Sequence, residues 1–168
     1  MKPKVKWLFL ISIILVGIIF LSWSMKLIGK SSTGLTTYNL DECYYLSYNF
    51  KSQGIMNPKI KDIVLLDDNY KPITYDNNAF SYDFYIDENK HTGVLTEESA
   101  LSEEIKMGYK EIKGYKIREK DFQVVLVINF HKKLETNFQP YIKITYDNFG
   151  IKRSLEQKVT VISSVQTN

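Results

Sequence analysis

The chain has 168 residues, with 22 Lys+Arg against 19 Asp+Glu, a formal net charge of +3, and one cysteine. A single cysteine excludes an intrachain disulfide framework. Five cations lie at or before Lys30 and every Asp and Glu lies beyond it, so residues 31–168 are two charges negative and a nucleic-acid-binding role is not implied.

The first predicted element is an apolar helix. Lys6 and Lys26 bracket nineteen uncharged residues. As a helix these would extend roughly 28 Å, close to the ~30 Å hydrocarbon core of a bilayer. Trp7 and Trp23 stand near the two ends, about 24 Å apart along the axis, the spacing of indoles at two headgroup levels. Ser22-Trp23-Ser24 is a poor cleavage pattern, and Glu42-Cys43 makes no lipobox. The expectation is a cytoplasmic N-terminus over 1–6, an uncleaved transmembrane helix over 7–25 and a Ser/Thr/Gly-containing linker over 26–37. The flanking cations put the N-terminus in the cytoplasm and the rest outside, as a single-pass cell-membrane protein.

The next stretch, 38–163, is long enough for one domain with its own core, followed by a tail over 164–168. Period-two alternation dominates it. Tyr44, Leu46, Tyr48 and Phe50 share one face, and Cys43, Tyr45, Ser47 and Asn49 share the other. Phe80, Tyr82, Phe84 and Ile86 alternate with Ser81, Asp83 and Tyr85. The run 122–130 is apolar on both faces, as a central strand covered from both sides should be. In 141–147, Ile142, Ile144 and Tyr146 oppose Lys143, Thr145 and Asp147. Turn residues at 67–71, 75–78, 87–93 and 147–150 punctuate these runs. One segment departs from the pattern: Thr96 as N-cap, Glu97 and Glu98 in a first turn, Leu101 and Ile105 at i, i+4, and Gly108 as stop predict a short helix near 97–107. The expected fold is an N-terminal transmembrane helix followed by an antiparallel β-sandwich of seven or eight strands.

On the Trp7–Trp23 span and the terminal hairpin YIKITYDNFGIKRSLEQKVTV, the chain resembles single-pass surface proteins of Gram-positive bacteria that carry an immunoglobulin-like sandwich. That resemblance implies a role for Tyr146 in tying a strand to a loop through its hydroxyl. It carries over no catalytic residue, and the Cys…Trp…Cys hallmark of antibody domains is missing.

Motifs for chemistry are sparse. His91, His131 and Cys43 lack zinc-ligand spacing, and the loop 87–93 has Thr92 where a calcium loop needs glycine. There is no G-x-S-x-G, P-loop or dinucleotide fingerprint, so no cofactor is expected. What remains is surface. Twelve tyrosines are many for this length. Tyr45 and Tyr85 fall on the polar faces of their strands, and with Tyr109 and Tyr115 they form a candidate patch for a protein partner in the cell envelope. The functional expectation is a non-enzymatic, membrane-anchored extracytoplasmic binding module: an accessory subunit, receptor or protective surface protein. The alternative is an envelope hydrolase whose carboxylates converge only in three dimensions.

Overall fold

The computed structural model describes residues 3–23, 26–32, 34–54, 57–75, 78–90, 92–96, 108–134, 138–148 and 150–162. One helix, α1 (Pro3–Trp23), precedes nine strands: β1 (Lys26–Ser32), β2 (Cys43–Gln53), β3 (Lys59–Leu66), β4 (Phe80–Asp87), β5 (Val94–Thr96), β6 (Tyr109–Lys110), β7 (Asp121–Phe130), β8 (Tyr141–Asn148) and β9 (Ile151–Lys158).

Two antiparallel sheets form. The larger runs β1-β2-β7-β4-β6, with β5 also paired to β2, and the smaller runs β3-β8-β9. The alternation read from the sequence is the alternation of burial. On β2, Tyr44, Leu46, Tyr48 and Phe50 are buried, and on β8 every second residue is buried. These inward faces meet in one core that includes Phe50, Leu65, Ile86, Leu126 and Ile144. Removing each such side chain from water contributes roughly 1.5–3 kcal/mol. β7 lies between β2 and β4, and Val124, Val125 and Leu126 are all fully buried, so this strand is covered on both faces.

The two sheets are bridged along both sides. On one, β1 approaches β9 so tightly that the Gln157 amide fills the space a Cβ on Gly29 would need. On the other, the chain after β6 crosses to the smaller sheet. There Ile60 N–H donates to the Tyr115 carbonyl (2.8 Å), and Gly114 N–H donates to the Ile60 carbonyl (3.0 Å). Tyrosine hydroxyls pin loops to this frame: Tyr48 donates to the Thr160 carbonyl (3.2 Å), and Leu134 N–H donates to Tyr38 (2.6 Å). Gly150 takes the left-handed conformation (φ 78°) that the β8–β9 turn requires.

Three expectations change. First, the transmembrane helix over 7–25 is corrected: among the described residues no helix is long and apolar enough to cross a membrane. Trp7 and Lys6 are exposed on α1, Trp23 is its last residue, and Lys26 opens β1 in register with Gln53. Second, much of the expected linker 26–37 is structured. Lys26–Ser32 is an edge strand, and Leu35 is buried in the core. The strand is invisible as a period because Gly29 interrupts it at the contact with Gln157. Third, β1 raises the strands among the described residues to nine, while the eight within 38–163, β2–β9, match the seven or eight expected there. The expected helix at 97–107 and the tail over 164–168 lie outside the described residues, as does His91.

Candidate functional site: a tyrosine stack and an edge cleft

The strands β2, β7 and β4 present one face to the core and the opposite face outward. On the outward face Tyr45 is in register with Val127, and Tyr85 with Val125. The long connection between β4 and β7, residues 88–120, brings Tyr109 onto this face through the pairing of β6 with β4, Tyr109 opposite Asp87. Its ring stacks on both neighbours, 6.2 Å from Tyr45 at 24° and 5.8 Å from Tyr85 at 19°. All three rings are half-buried and lie over the apolar strand β7. Tyr115 stands apart from them. Its hydroxyl donates to Glu88 Oε1 (3.1 Å), beside a cavity of about 310 Å³ that it shares with Arg118 and Glu119.

The stack is positioned by a buried carboxylate. Asp87 is 1% exposed. Its Oδ1 accepts the N–H groups of Asn89 (2.9 Å) and Lys90 (3.0 Å), and its Oδ2 accepts Thr92 N–H (2.9 Å) and Thr92 Oγ1–H (2.7 Å). The Thr92 hydroxyl in turn lies 2.9 Å from the Tyr109 hydroxyl. A buried carboxylate persists only with its lone pairs occupied, and here the loop's own donors occupy them. Burial is the main force raising the Tyr109 hydroxyl above its ordinary pKa, with Asp87 adding to it. Burial, followed by Asp83, does the same at Tyr85. At Tyr115, burial and then the bond to Glu88 push the hydroxyl up to about 12.

A second feature adjoins Tyr85. Between the two sheets lies a cleft of about 630 Å³ lined by three runs of consecutive residues, 61–63, 83–85 and 111–113, with Tyr75 at one end. Consecutive residues of a strand point to alternate faces, so lining by 61–63 of β3 and 83–85 of β4 means that the edges of these two strands look into the cleft, while 111–113 follow β6. Asp62, Asp83 and Glu111 share it with Lys61 and Lys113. Asp83 Oδ1 accepts the N–H of Phe84 (2.7 Å), and its Oδ2 accepts the Tyr85 hydroxyl (3.2 Å). Among the described residues no group of three or more His, Cys, Asp or Glu is arranged to hold a metal ion.

Of the four tyrosines singled out from the sequence, three come together and Tyr115 does not. The cleft carboxylates were not singled out, and the loop 87–93 was read only against a calcium pattern, not as an Asp87–Thr92 pair. Asp87 carried a readable signal, since Asp followed by donors at i+2, i+3 and i+5 is the pattern of an Asx-type loop. Asp62 and Asp83 carried none, because they lie on strands of different sheets.

The fold and these sites define a class: a mainly-β, antiparallel, two-sheet protein of sandwich type. No protein-family model and no curated protein matches the chain.

Proposed function

We propose that this chain is a non-enzymatic binding module that acts outside the cytoplasm and engages a protein partner of the cell envelope, as an accessory subunit, receptor or protective surface protein. The observation that carries the reading is the Tyr45–Tyr109–Tyr85 stack on the outward face of the larger sheet. Tyrosine gives large, rigid contact area with only two side-chain torsions to order, and a hydroxyl for orientation. A long loop placed on a rigid sheet is the usual location for recognition.

An immunoglobulin-like identity of the Gram-positive surface type is part of the proposal. It is supported by the strand order: β1-β2-β7-β4 against β3-β8-β9 corresponds to A-B-E-D against C-F-G of a constant-type domain. On that correspondence, residues 88–120 are an enlarged D–E connection carrying Thr92, Tyr109 and Tyr115. Placement outside the cytoplasm is part of the proposal and is tested by protease accessibility in intact cells.

The decisive test is affinity capture of the full tagged chain from crosslinked native envelopes, compared with Tyr45→Ala and Tyr109→Ala. Loss of one specific partner by both variants, with retention by Tyr45→Phe, is the expected result. Equal recovery by wild type and both alanine variants would defeat the proposal.

A further inference from the structure

Between the points where the two sheets are bridged, the strand edges facing the cleft are open. Tyr82 N–H donates to the Tyr75 carbonyl (2.8 Å), so at Tyr82 the backbone of β4 points away from β7. Hydrogen-bonding direction in an antiparallel strand repeats every second residue. Phe84 therefore also directs its N–H and C=O away from β7. Among the described residues the Phe84 N–H is met by a side chain of its own strand, the Asp83 carboxylate. Pairing resumes at Ile86, opposite Lys110. The window from Tyr82 to Ile86 is roughly 14 Å long at 3.4 Å per residue, room for three or four extended residues.

The facing edge belongs to β3. Leu65 N–H donates to the Tyr82 hydroxyl (3.3 Å), and the Ile63 carbonyl accepts from the Tyr75 hydroxyl (3.3 Å). Both residues thus direct their backbone groups away from β8, and the same parity sends the Ile63 N–H into the cleft. An unpaired strand edge is a template for another strand unless something blocks it. Here the blocking group is an ionisable side chain, Asp83, which a competing cation can draw away.

Charge selects the occupant. Three carboxylates line the cleft against two lysines, and Lys61 reaches 3.9 Å toward Asp147. Tyr75, 48% exposed, and Tyr85 supply aromatic walls that attract cations. Burial raises the Tyr75 hydroxyl above its ordinary pKa, followed by the negative charges of Asp62 and Asp83.

We propose that this cleft is a strand-addition site for an extended segment of a partner protein bearing lysine or arginine. The segment pairs its backbone with the open edges at Phe84 and Ile63, and its cationic side chain enters among Asp62, Asp83 and Glu111. Binding of the cation takes Asp83 off the Phe84 N–H and frees that donor for a peptide carbonyl. This deepens the binding-module reading by naming the chemistry of the partner.

The test is titration of the isotope-labelled full chain with an end-capped heptapeptide, Thr-Lys-Val-Lys-Val-Lys-Thr, followed by amide chemical shifts. The expected result is saturable binding that moves the amides of Ile63 and Phe84. Asp83→Asn, which keeps an oxygen for the edge but removes the charge, should weaken it at least tenfold. Asp62→Asn and Glu111→Gln, both at exposed positions, repeat the measurement should Asp83→Asn fail to fold. A glutamate-for-lysine peptide should not bind, and a peptide N-methylated at alternate residues should bind at least tenfold more weakly. Absence of binding at millimolar peptide, equal affinity for the glutamate or N-methylated peptides, or shifts confined to the Tyr45 face would each overturn the proposal. Because Tyr45 does not line the cleft, such a failure leaves the capture result at Tyr45 standing.

Discussion

Asp87 holds Thr92 by two hydrogen bonds, one to the backbone N–H at 2.9 Å and one to the hydroxyl at 2.7 Å, with both residues buried. Replacing Asp87 by Ala strands three loop N–H groups and one hydroxyl at once. The expected loss is about 2–4 kcal/mol of unfolding free energy, measured by urea denaturation. Thr92→Val removes only the hydroxyl relay to Tyr109 and should lose about 1 kcal/mol. If Asp87→Ala stays within about 0.5 kcal/mol of wild type, the carboxylate does not organise this loop.

Alkali should weaken the fold through Tyr82. Burial, opposed by the Leu65 N–H donor, pushes its hydroxyl up to about 12. An unfolded tyrosine ionises near pH 10, so above that value the unfolded chain sheds a proton that the folded chain retains. The stabilisation is complete below pH 10 and is lost as pH rises toward 12. Denaturation midpoints measured from pH 9 to 12 should fall across this window. In Tyr82→Phe the fall should be smaller, against a lower starting stability, because the bond to the Ile73 carbonyl (2.8 Å) is gone. An identical alkaline slope in the variant would show that Tyr82 is not the titrating group.

Glycine at position 34 is set by a backbone neighbour. A Cβ there would lie 2.9 Å from both the Thr160 carbonyl oxygen and its Cγ2, beside the pairing of Leu35 N–H with the Val161 carbonyl. Gly34→Ala should lose about 1–3 kcal/mol, since Thr160 cannot retreat without disturbing that pairing. Gly93→Ala meets nothing within 4 Å and should stay within about 0.5 kcal/mol. Equal effects at the two glycines, read from thermal midpoints, would contradict the packing account.

The strands were legible because burial on one face of a sheet imposes a period of two that local sequence records. The faces of β2, β4 and β8 follow directly from Tyr44 to Phe50, Phe80 to Ile86 and Ile142 to Tyr146, and β7 declares its central place by being apolar throughout. β1 was not legible. Its seven residues hold a glycine and four polar or charged residues, and they become a strand only because the edge of β2 is there to accept them. α1 was legible as an apolar helix, but an apolar run in the sequence measures hydrophobicity and does not by itself make a membrane span.

The sites divide in the same way. Alternation within single strands was enough to place Tyr45 and Tyr85 on outward faces. Bringing Tyr109 between them required the connection 88–120 to return across the sheet edge, held by the Asp87–Thr92 relay. The cleft was beyond any local reading. Asp62 and Asp83 are twenty-one residues apart in sequence and on different sheets. They share a cavity because the two sheets stack and the β4–β7 connection leaves one stretch of both edges uncovered. Local residue patterns are set by the two-residue period of the strand and the chemistry of the turn, so the sequence alone determines them. Which strand edges stay open depends on how distant segments close around the core, and only the tertiary structure decides that.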